Sequence, residues 1–210
     1  MYIHFEGLDL AGKSTLCRRF TERASGDWEV AHNALTANNP VWSLSDRLRK
    51  EDRYSEATIG WCYHAALLAD LEDFRPPGAG VNRLQDSTIL LRALAHHIVA
   101  ETPGLPAALT ELLESYPRFD RSFVCVASFE VRCRRLTVRD KKNLGPEDFI
   151  VRDDPGRFRA MEEVLVEYAV RHFDAMVIDT SNLEQEQHRT PDDGGEPTSL
   201  DLVFAALPGE

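Results

Sequence analysis

The chain has 210 residues, of which 43% are hydrophobic and 28% charged, and its formal net charge is −11. This length fits one α/β domain with a complete core, and the composition is that of a soluble globular protein. The acidic balance argues against general binding to nucleic acids or anionic membranes. No apolar run reaches the length of a membrane span, and the N-terminus lacks the order of a signal peptide. Because the four cysteines form no C-x-x-C pair, we expect a cytoplasmic protein with free, mostly buried thiols.

The first element is a short apolar segment at residues 2–5, which predicts a β-strand. Residues 7–14 follow it with the pattern G-x-x-x-x-G-K-[ST], and a helical pattern follows them. A strand, a glycine-rich turn and a helix N-terminus direct backbone N–H groups at an anion, so Lys13 is expected on nucleotide phosphates and the Ser14 hydroxyl on Mg²⁺. A glycine turn that binds nothing is the alternative. The predicted nucleotide-binding residues are Gly7, Asp9, Ala11, Gly12, Lys13, Ser14 and Thr15.

The rest of the chain alternates between strand and helix patterns, which is typical of a mainly parallel sheet covered by helices on both faces. The predicted strands are 28–32, 81–85, 122–128 and 175–179. The predicted helices are 45–50, 55–74, 88–100, 106–115, 129–139, 158–173 and 199–207. Residues 36–40 predict a turn-rich loop, and residues 141–155 predict a mobile loop. We therefore expect a three-layer α/β domain over 1–183 with a five-stranded sheet, a flexible link at 184–197, and a C-terminal helix within 198–210 that packs on the same domain.

Residues 5–15, F-E-G-L-D-L-A-G-K-S-T, resemble the opening of thymidylate kinases, which read F-E-G-x-D-x-x-G-K-[ST]-T. The order of predicted elements is similar to that family over most of the chain. The resemblance implies a P-loop kinase fold with a short lid at about 139–155, ATP and Mg²⁺ as cofactors, and a homodimer. It also implies that Asp9 lies near the acceptor and that Asp86 supports Mg²⁺ and faces the acceptor. Alternatively, Asp86 only caps the helix that follows it.

Three departures from that family fall on the acceptor side. Where thymidylate kinases carry R-E-P and D-R, this chain has Asn38-Asn39-Pro40 and Asp86-Ser87. The position at which thymidylate kinases carry the arginine that contacts the thymine base corresponds to a residue near His64 in this chain. Since a phosphate held without a guanidinium loses strong bidentate contacts, the departures indicate a changed acceptor, such as a nucleoside or another hydroxyl-bearing metabolite. The alternative is misalignment over a divergent middle segment.

Six cations lie within eleven positions after the fourth predicted strand. This density suggests a basic lid that would neutralise the negative charge on the transferring phosphoryl group. Arg135 and Arg139 are the leading catalytic candidates, and Arg152 is the next candidate. A solvated helix face balanced by nearby carboxylates is the alternative. The six cations are Arg132, Arg134, Arg135, Arg139, Lys141 and Lys142.

The general base is harder to identify. Deoxynucleoside kinases, a neighbouring family, place a glutamate before proline after the second strand, but here Asn39 precedes the proline and an amide cannot act as a base. Glu6, Asp9 and Asp86 remain, and we favour Asp86. The predicted acceptor pocket, for which core packing is the alternative, consists of Trp42, Trp61, Tyr63 and His64.

The sequence thus predicts an ATP-dependent kinase that resembles thymidylate kinase and transfers the γ-phosphoryl group of ATP to a small-molecule acceptor. A true dTMP kinase and a non-catalytic ATP-binding regulator are the alternatives. No nucleic-acid or membrane partner is expected.

Overall fold

A computed structural model of the chain describes residues 1–51, 53–139, 146–186 and 197–207. In these ranges five strands form one sheet in the order β2-β3-β1-β4-β5, and every pairing is parallel. The strands are β1 (Tyr2–Glu6), β2 (Trp28–His32), β3 (Asn82–Asp86), β4 (Arg121–Val126) and β5 (Met176–Asp179). The helices are α1 (Lys13–Arg23), α2 (Pro40–Arg49), α3 (Glu56–Asp73), α4 (Ile89–Val99), α5 (Leu105–Ser115), α6 (Phe129–Val138), α7 (Pro146–Asp153), α8 (Pro155–Phe173), α9 (Leu183–Glu186) and α10 (Ser199–Ala205).

The predicted three-layer architecture with a five-stranded sheet is confirmed. Strand β1 lies in the middle of the sheet, and all five of its residues are buried, as expected of a strand covered on both faces. Strand β3 pairs with both β1 and β2, although its sequence is more polar. Its polar side chains are accommodated by local partners: the Tyr2 hydroxyl, for example, donates to Gln85 Oε1 at 3.1 Å.

Two hydrophobic clusters cover the two faces of the sheet. One includes Leu16 and Phe20 of α1 and Val203 of α10, packed against strand residues such as Phe5 and Phe123. The larger cluster involves α3, α4, α5 and α8, and leucine is its commonest residue. The parallel strands all end on one edge between these layers, and that edge holds the polar residues described below.

Several helices differ from the sequence prediction: α8 begins at Pro155, three residues earlier than expected, and α9 extends into the predicted flexible link. Helix α2 begins at Pro40, five residues earlier than expected, because the Asn39 side chain accepts a hydrogen bond from Trp42 N at 2.9 Å and proline fits the first turn. The segment predicted as a mobile loop contains α7, whose Val151 is fully buried in the larger cluster. The prediction of a loop over that whole segment is therefore wrong, because the hydrophobic run at 149–151 packs on the core as part of a helix.

Lys141 and Lys142 of the predicted lid, and most of the predicted link at 184–197, lie outside the described residues. Helix α10 packs on α1, with the rings of Phe20 and Phe204 stacked at 5.1 Å. The four cysteines are free thiols, and Cys17 and Cys125 are buried. Among the described helices, none combines the length and the apolar character needed to cross a membrane.

Candidate phosphate-binding site

The loop between β1 and α1 depends on two glycines. Gly7 has φ +145°, and a Cβ atom there would lie 2.5 Å from the carbonyl oxygen of Cys125. Gly12 has φ +80°, a left-handed conformation, and precedes the first residue of α1. The positive end of the α1 dipole and its first N–H groups therefore face the space above the loop.

That space is a cleft of about 340 Å³. Lys13 lines this cleft and is only 9% exposed. The cleft contains six of the seven predicted nucleotide-binding residues, Gly7 being the exception. The lining residues are Asp9, Leu10, Ala11, Gly12, Lys13, Ser14, Thr15, Arg135, Val138, Arg139, Leu183 and Glu184.

The two residues predicted to hold Mg²⁺ lie together. Ser14 Oγ donates to Asp86 Oδ2 at 3.0 Å, and the same oxygen lies 3.1 Å from His32 Nδ1. A hydroxyl and a carboxylate are hard oxygen ligands of the kind that Mg²⁺ prefers, and this ion commonly takes only one or two protein ligands beside phosphate oxygens and waters. Ser14 and Asp86 therefore fit a magnesium ion at the mouth of the phosphate loop. The bound ion would neutralise charge on the phosphates.

Arg135 braces the loop from α6. Its guanidinium donates to the carbonyl oxygens of Leu10 at 2.9 Å and Thr180 at 2.7 Å, and to Glu184 Oε1 at 2.7 Å. Thr180, fully buried after β5, donates through its hydroxyl to the carbonyl oxygen of Ala11 at 2.6 Å. Arg135 thus lies in the cleft and also fixes the main chain of the phosphate loop.

Arg132 is the most deeply buried of the predicted lid cations that lie in the described residues, at 1% exposure. It donates to the carbonyl oxygen of Asp9 at 2.6 Å and to that of Ala127 at 3.0 Å, and it forms an ion pair with Glu162. The pKa of Arg132 lies below its usual value, because the effect of burial is larger than the opposing effect of the Glu162 charge. The helical spacing of Arg132, Arg135 and Arg139 predicts one shared face, and the structure turns the first two of these side chains into the protein, against the loop.

The two remaining arginine candidates form ion pairs near α7. Arg139, just after the end of α6, donates to Asp148 Oδ1 at 2.7 Å and is partly exposed. Arg152 bonds to its neighbour Asp153 and is exposed. These pairs agree with the carboxylate balance considered as the alternative for this basic segment, although Arg139 also lines the cleft.

On the acceptor side the structure adds a residue that the sequence did not suggest. Arg92 of α4 donates to the carbonyl oxygen of Thr88 at 3.4 Å and forms a short hydrogen bond to Asn33 Oδ1. Asn33, with φ +61°, follows β2, and its N–H donates to the carbonyl oxygen of Asp86 at 3.2 Å. A guanidinium therefore stands beside the ends of β2 and β3. No short sequence pattern marks Arg92, because its partner Asn33 lies 59 positions away in the chain.

The loop after β2 is fastened to α3 by a buried carboxylate. Asp70 accepts hydrogen bonds from Leu35 N at 2.5 Å and from Thr36 N at 3.0 Å. Asn39, besides capping α2, donates through its amide to the carbonyl oxygen of Ala66 at 2.7 Å. The Asn39 side chain therefore serves the loop and α3, and both ends of its amide are occupied.

The four residues predicted for the acceptor pocket form two pairs. The rings of Trp42 and Tyr63 lie 6.4 Å apart and pack against the larger core cluster. Those of Trp61 and His64 lie 5.5 Å apart, with Trp61 44% exposed. Trp61 and Tyr63 are two positions apart on α3 and so point to opposite sides of the helix. The structure does not gather the four side chains into one group.

Comparison with known proteins gives structural relatives only. No model of a protein family matches the sequence, and no curated protein matches it either. A deoxyadenosine kinase from M. mycoides with bound dCTP is 16% identical, with a TM-score of 0.55 over 98% of this chain and 97% of that one. A thymidylate kinase from Candida albicans is 14% identical, with a TM-score of 0.60 over 85% of this chain and 83% of that one. The chain therefore has the P-loop fold of nucleoside and nucleotide kinases.

Proposed function

We propose that the protein is a phosphotransferase that uses Mg²⁺ and ATP to phosphorylate a nucleoside or a similar hydroxyl-bearing metabolite. The observation that carries the donor half is the cleft in which Lys13, Ser14 and Arg135 surround the N-terminus of α1. Asp86 is hydrogen-bonded to Ser14 beside it. Phosphoryl transfer mainly requires positioning and neutralisation of charge, and these residues supply both. Lys13 contacts the transferring phosphates, and the loop N–H groups orient them.

The part of the proposal that concerns the acceptor rests on the two positions where thymidylate kinases carry phosphate-binding arginines. Asn38 is an exposed short amide in the loop before α2. Ser87 turns inward and donates through Oγ to Glu6 at 2.6 Å. Neither residue supplies a guanidinium fork for an acceptor phosphate. The fold shared with a deoxyadenosine kinase along nearly the full length of both chains agrees with a nucleoside acceptor.

A nucleoside monophosphate is the second candidate, and Arg92 favours it. Its guanidinium lies beside Asn33 and the end of β3, where it would bind acceptor oxygens. Arg92 would then take the place of the two missing arginines, from a different position in the chain.

Purified protein with Mg-ATP and matched nucleoside and nucleoside 5′-monophosphate pairs separates these candidates by production of ADP and phosphorylated product. Nucleoside turnover with little monophosphate turnover supports the first proposal. The reverse result, above all with dTMP, supports the second. ATP binding without turnover on any acceptor contradicts both and indicates a regulator.

A Lys13→Ala variant should abolish turnover in every productive pair. Asn38→Arg offers a further check, since an added guanidinium near the acceptor should favour monophosphates over nucleosides.

A further inference from the structure

Glu6, the last residue of β1, is a fully buried carboxylate to which the donor chemistry gives no role. Burial raises its pKa, but a hydrogen bond and charge from His4, and then the charges of Arg92 and Lys13, lower it to about 2. Glu6 is therefore an ionised group inside the protein. Such a group must be held by several hydrogen bonds.

The two oxygens of Glu6 join two separate segments. Oε1 accepts from Gly7 N at 2.9 Å and from Ser87 Oγ at 2.6 Å. Oε2 accepts from the backbone N–H and the hydroxyl of Thr88, both at 2.9 Å. Gly7 opens the phosphate loop, whereas Ser87 and Thr88 form the turn between β3 and α4. One carboxylate thus ties the donor loop to the acceptor side of the sheet.

The turn held by Glu6 has an unfavourable backbone. Ser87 has φ +70°, a left-handed conformation that side-chain-bearing residues seldom adopt, so the hydrogen bonds of the turn must hold it. Asp86 precedes this residue directly, and its carboxylate meets Ser14 Oγ at 3.0 Å. A shift of the turn would therefore change the distance between Asp86 and Ser14.

We propose that Glu6 is a positioning residue that fixes Asp86 relative to Ser14 by fastening the phosphate loop to the turn after β3. It acts through Asp86 and does not touch the substrate, since both of its oxygens are engaged inside the protein. This inference rests on the proposed function for its metal site, but its test does not require turnover.

The test is a double-mutant cycle on nucleotide affinity. Titration calorimetry with a non-hydrolysable ATP analogue, with and without Mg²⁺, gives the factor by which the metal tightens binding. Glu6→Gln replaces one accepting oxygen by a donor, so it should reduce this factor about tenfold or more. Metal-free affinity should change little. In an Asp86→Asn background, Glu6→Gln should change this factor little further, because the Asp86 carboxylate through which Glu6 acts is already absent.

Glu22→Gln, an equivalent change in an exposed i,i+4 pair with Arg18, is the control and should leave the factor unchanged. If Glu6→Gln does not fold, Ser87→Ala removes a single donor to Glu6 and enters the same cycle with a smaller expected effect.

Three results would overturn the proposal. They are additive effects of the two substitutions, an equal loss of affinity with and without Mg²⁺, and a wild-type affinity that does not respond to Mg²⁺. If no acceptor is phosphorylated while the cycle is non-additive, the proposed activity fails and the role of Glu6 stands.

Discussion

The hydroxyl of Ser14 and the carboxylate of Asp86 lie 3.0 Å apart, although 72 residues separate them along the chain. Parallel pairing of β1 with β3 brings the end of β3 to the start of α1, so the contact follows directly from the sheet order. The shared edge of the sheet thereby places a carboxylate beside the phosphate loop.

Asp86→Asn should reduce kcat by about 100-fold or more while leaving the melting temperature nearly unchanged. The amide keeps the shape of the side chain but removes the negative charge that would balance Mg²⁺. Steady-state kinetics over a series of Mg²⁺ concentrations should show that more metal is needed for half-maximal rate. An unchanged metal requirement would contradict the role given to Asp86.

Lys13→Ala should lower turnover by about 100-fold or more, because the cation that contacts the transferring phosphates is lost. Lys50→Ala removes an exposed lysine paired with Asp46 and serves as the control. Circular dichroism should show both variants folded. Activity of Lys13→Ala close to that of the wild type would rule out the phosphate-loop mechanism.

The two lid-candidate arginines should respond differently to substitution. Arg135→Ala should lower both the melting temperature and ATP affinity, because three of its hydrogen bonds hold Leu10, Thr180 and Glu184. Arg139→Ala should cost less stability, because the Arg139 side chain is 39% exposed, although the substitution removes an ion-pair partner of the buried Asp148 carboxylate. Differential scanning fluorimetry with and without ATP measures both effects. A larger stability loss for Arg139→Ala would contradict this assignment.

Gly60→Ala should destabilise the fold by about 1–3 kcal/mol, despite the better helix propensity of alanine. A Cβ atom at this position of α3 would lie 2.3 Å from His97 Nε2 and 2.4 Å from Leu105 Cδ2. Gly78→Ala is the matched control, because its Cβ atom would come no closer than 3.9 Å to Val81. Urea denaturation should separate the two variants. Equal midpoints would show that α3 and α4 have room for a Cβ atom between Gly60 and His97.

Stability should also fall as the pH drops from about 6.5 to about 4. Burial, followed by the charge of His96, lowers the pKa of His97 from 6.5 to about 4. Between these values the unfolded chain binds a proton that the folded protein excludes, so the free energy of unfolding decreases with falling pH. In His97→Asn, the urea midpoint should depend less on pH across this range than it does in the wild type. His172→Asn, whose ring stacks on Tyr168 near the end of α8, should retain the slope.

The donor side was largely predictable from sequence because its chemistry is local. A glycine pattern between a strand and a helix already specifies where Lys13 and Ser14 stand, since all the parts lie within a few residues. The sequence assigns Ser14 and, through the resemblance to thymidylate kinases, Asp86 to Mg²⁺, but it does not predict the hydrogen bond between them. The physical basis of this shared assignment is the general rule that ligands bind where parallel strands end.

The acceptor side was less predictable because its contacts are distant in sequence. Arg92 meets Asn33 across 59 positions, and Asp70 fastens a loop 35 positions away. No short pattern announces such contacts. The start of α2 was missed for a different reason: Asn39 and Pro40 were interpreted as a turn, although the same pair is a good helix cap and first turn.

Arg132 and Arg135 bond the main chain of the phosphate loop from successive turns of α6. This arrangement limits how segments could be exchanged between this protein and another kinase of the same fold. A chimera that replaced α6 together with the residues after it would remove the supports of Asp9 and Leu10 and damage ATP binding. An exchange confined to α7 would keep those supports intact, because Glu162, Thr180 and Glu184, which hold the two arginines, would remain.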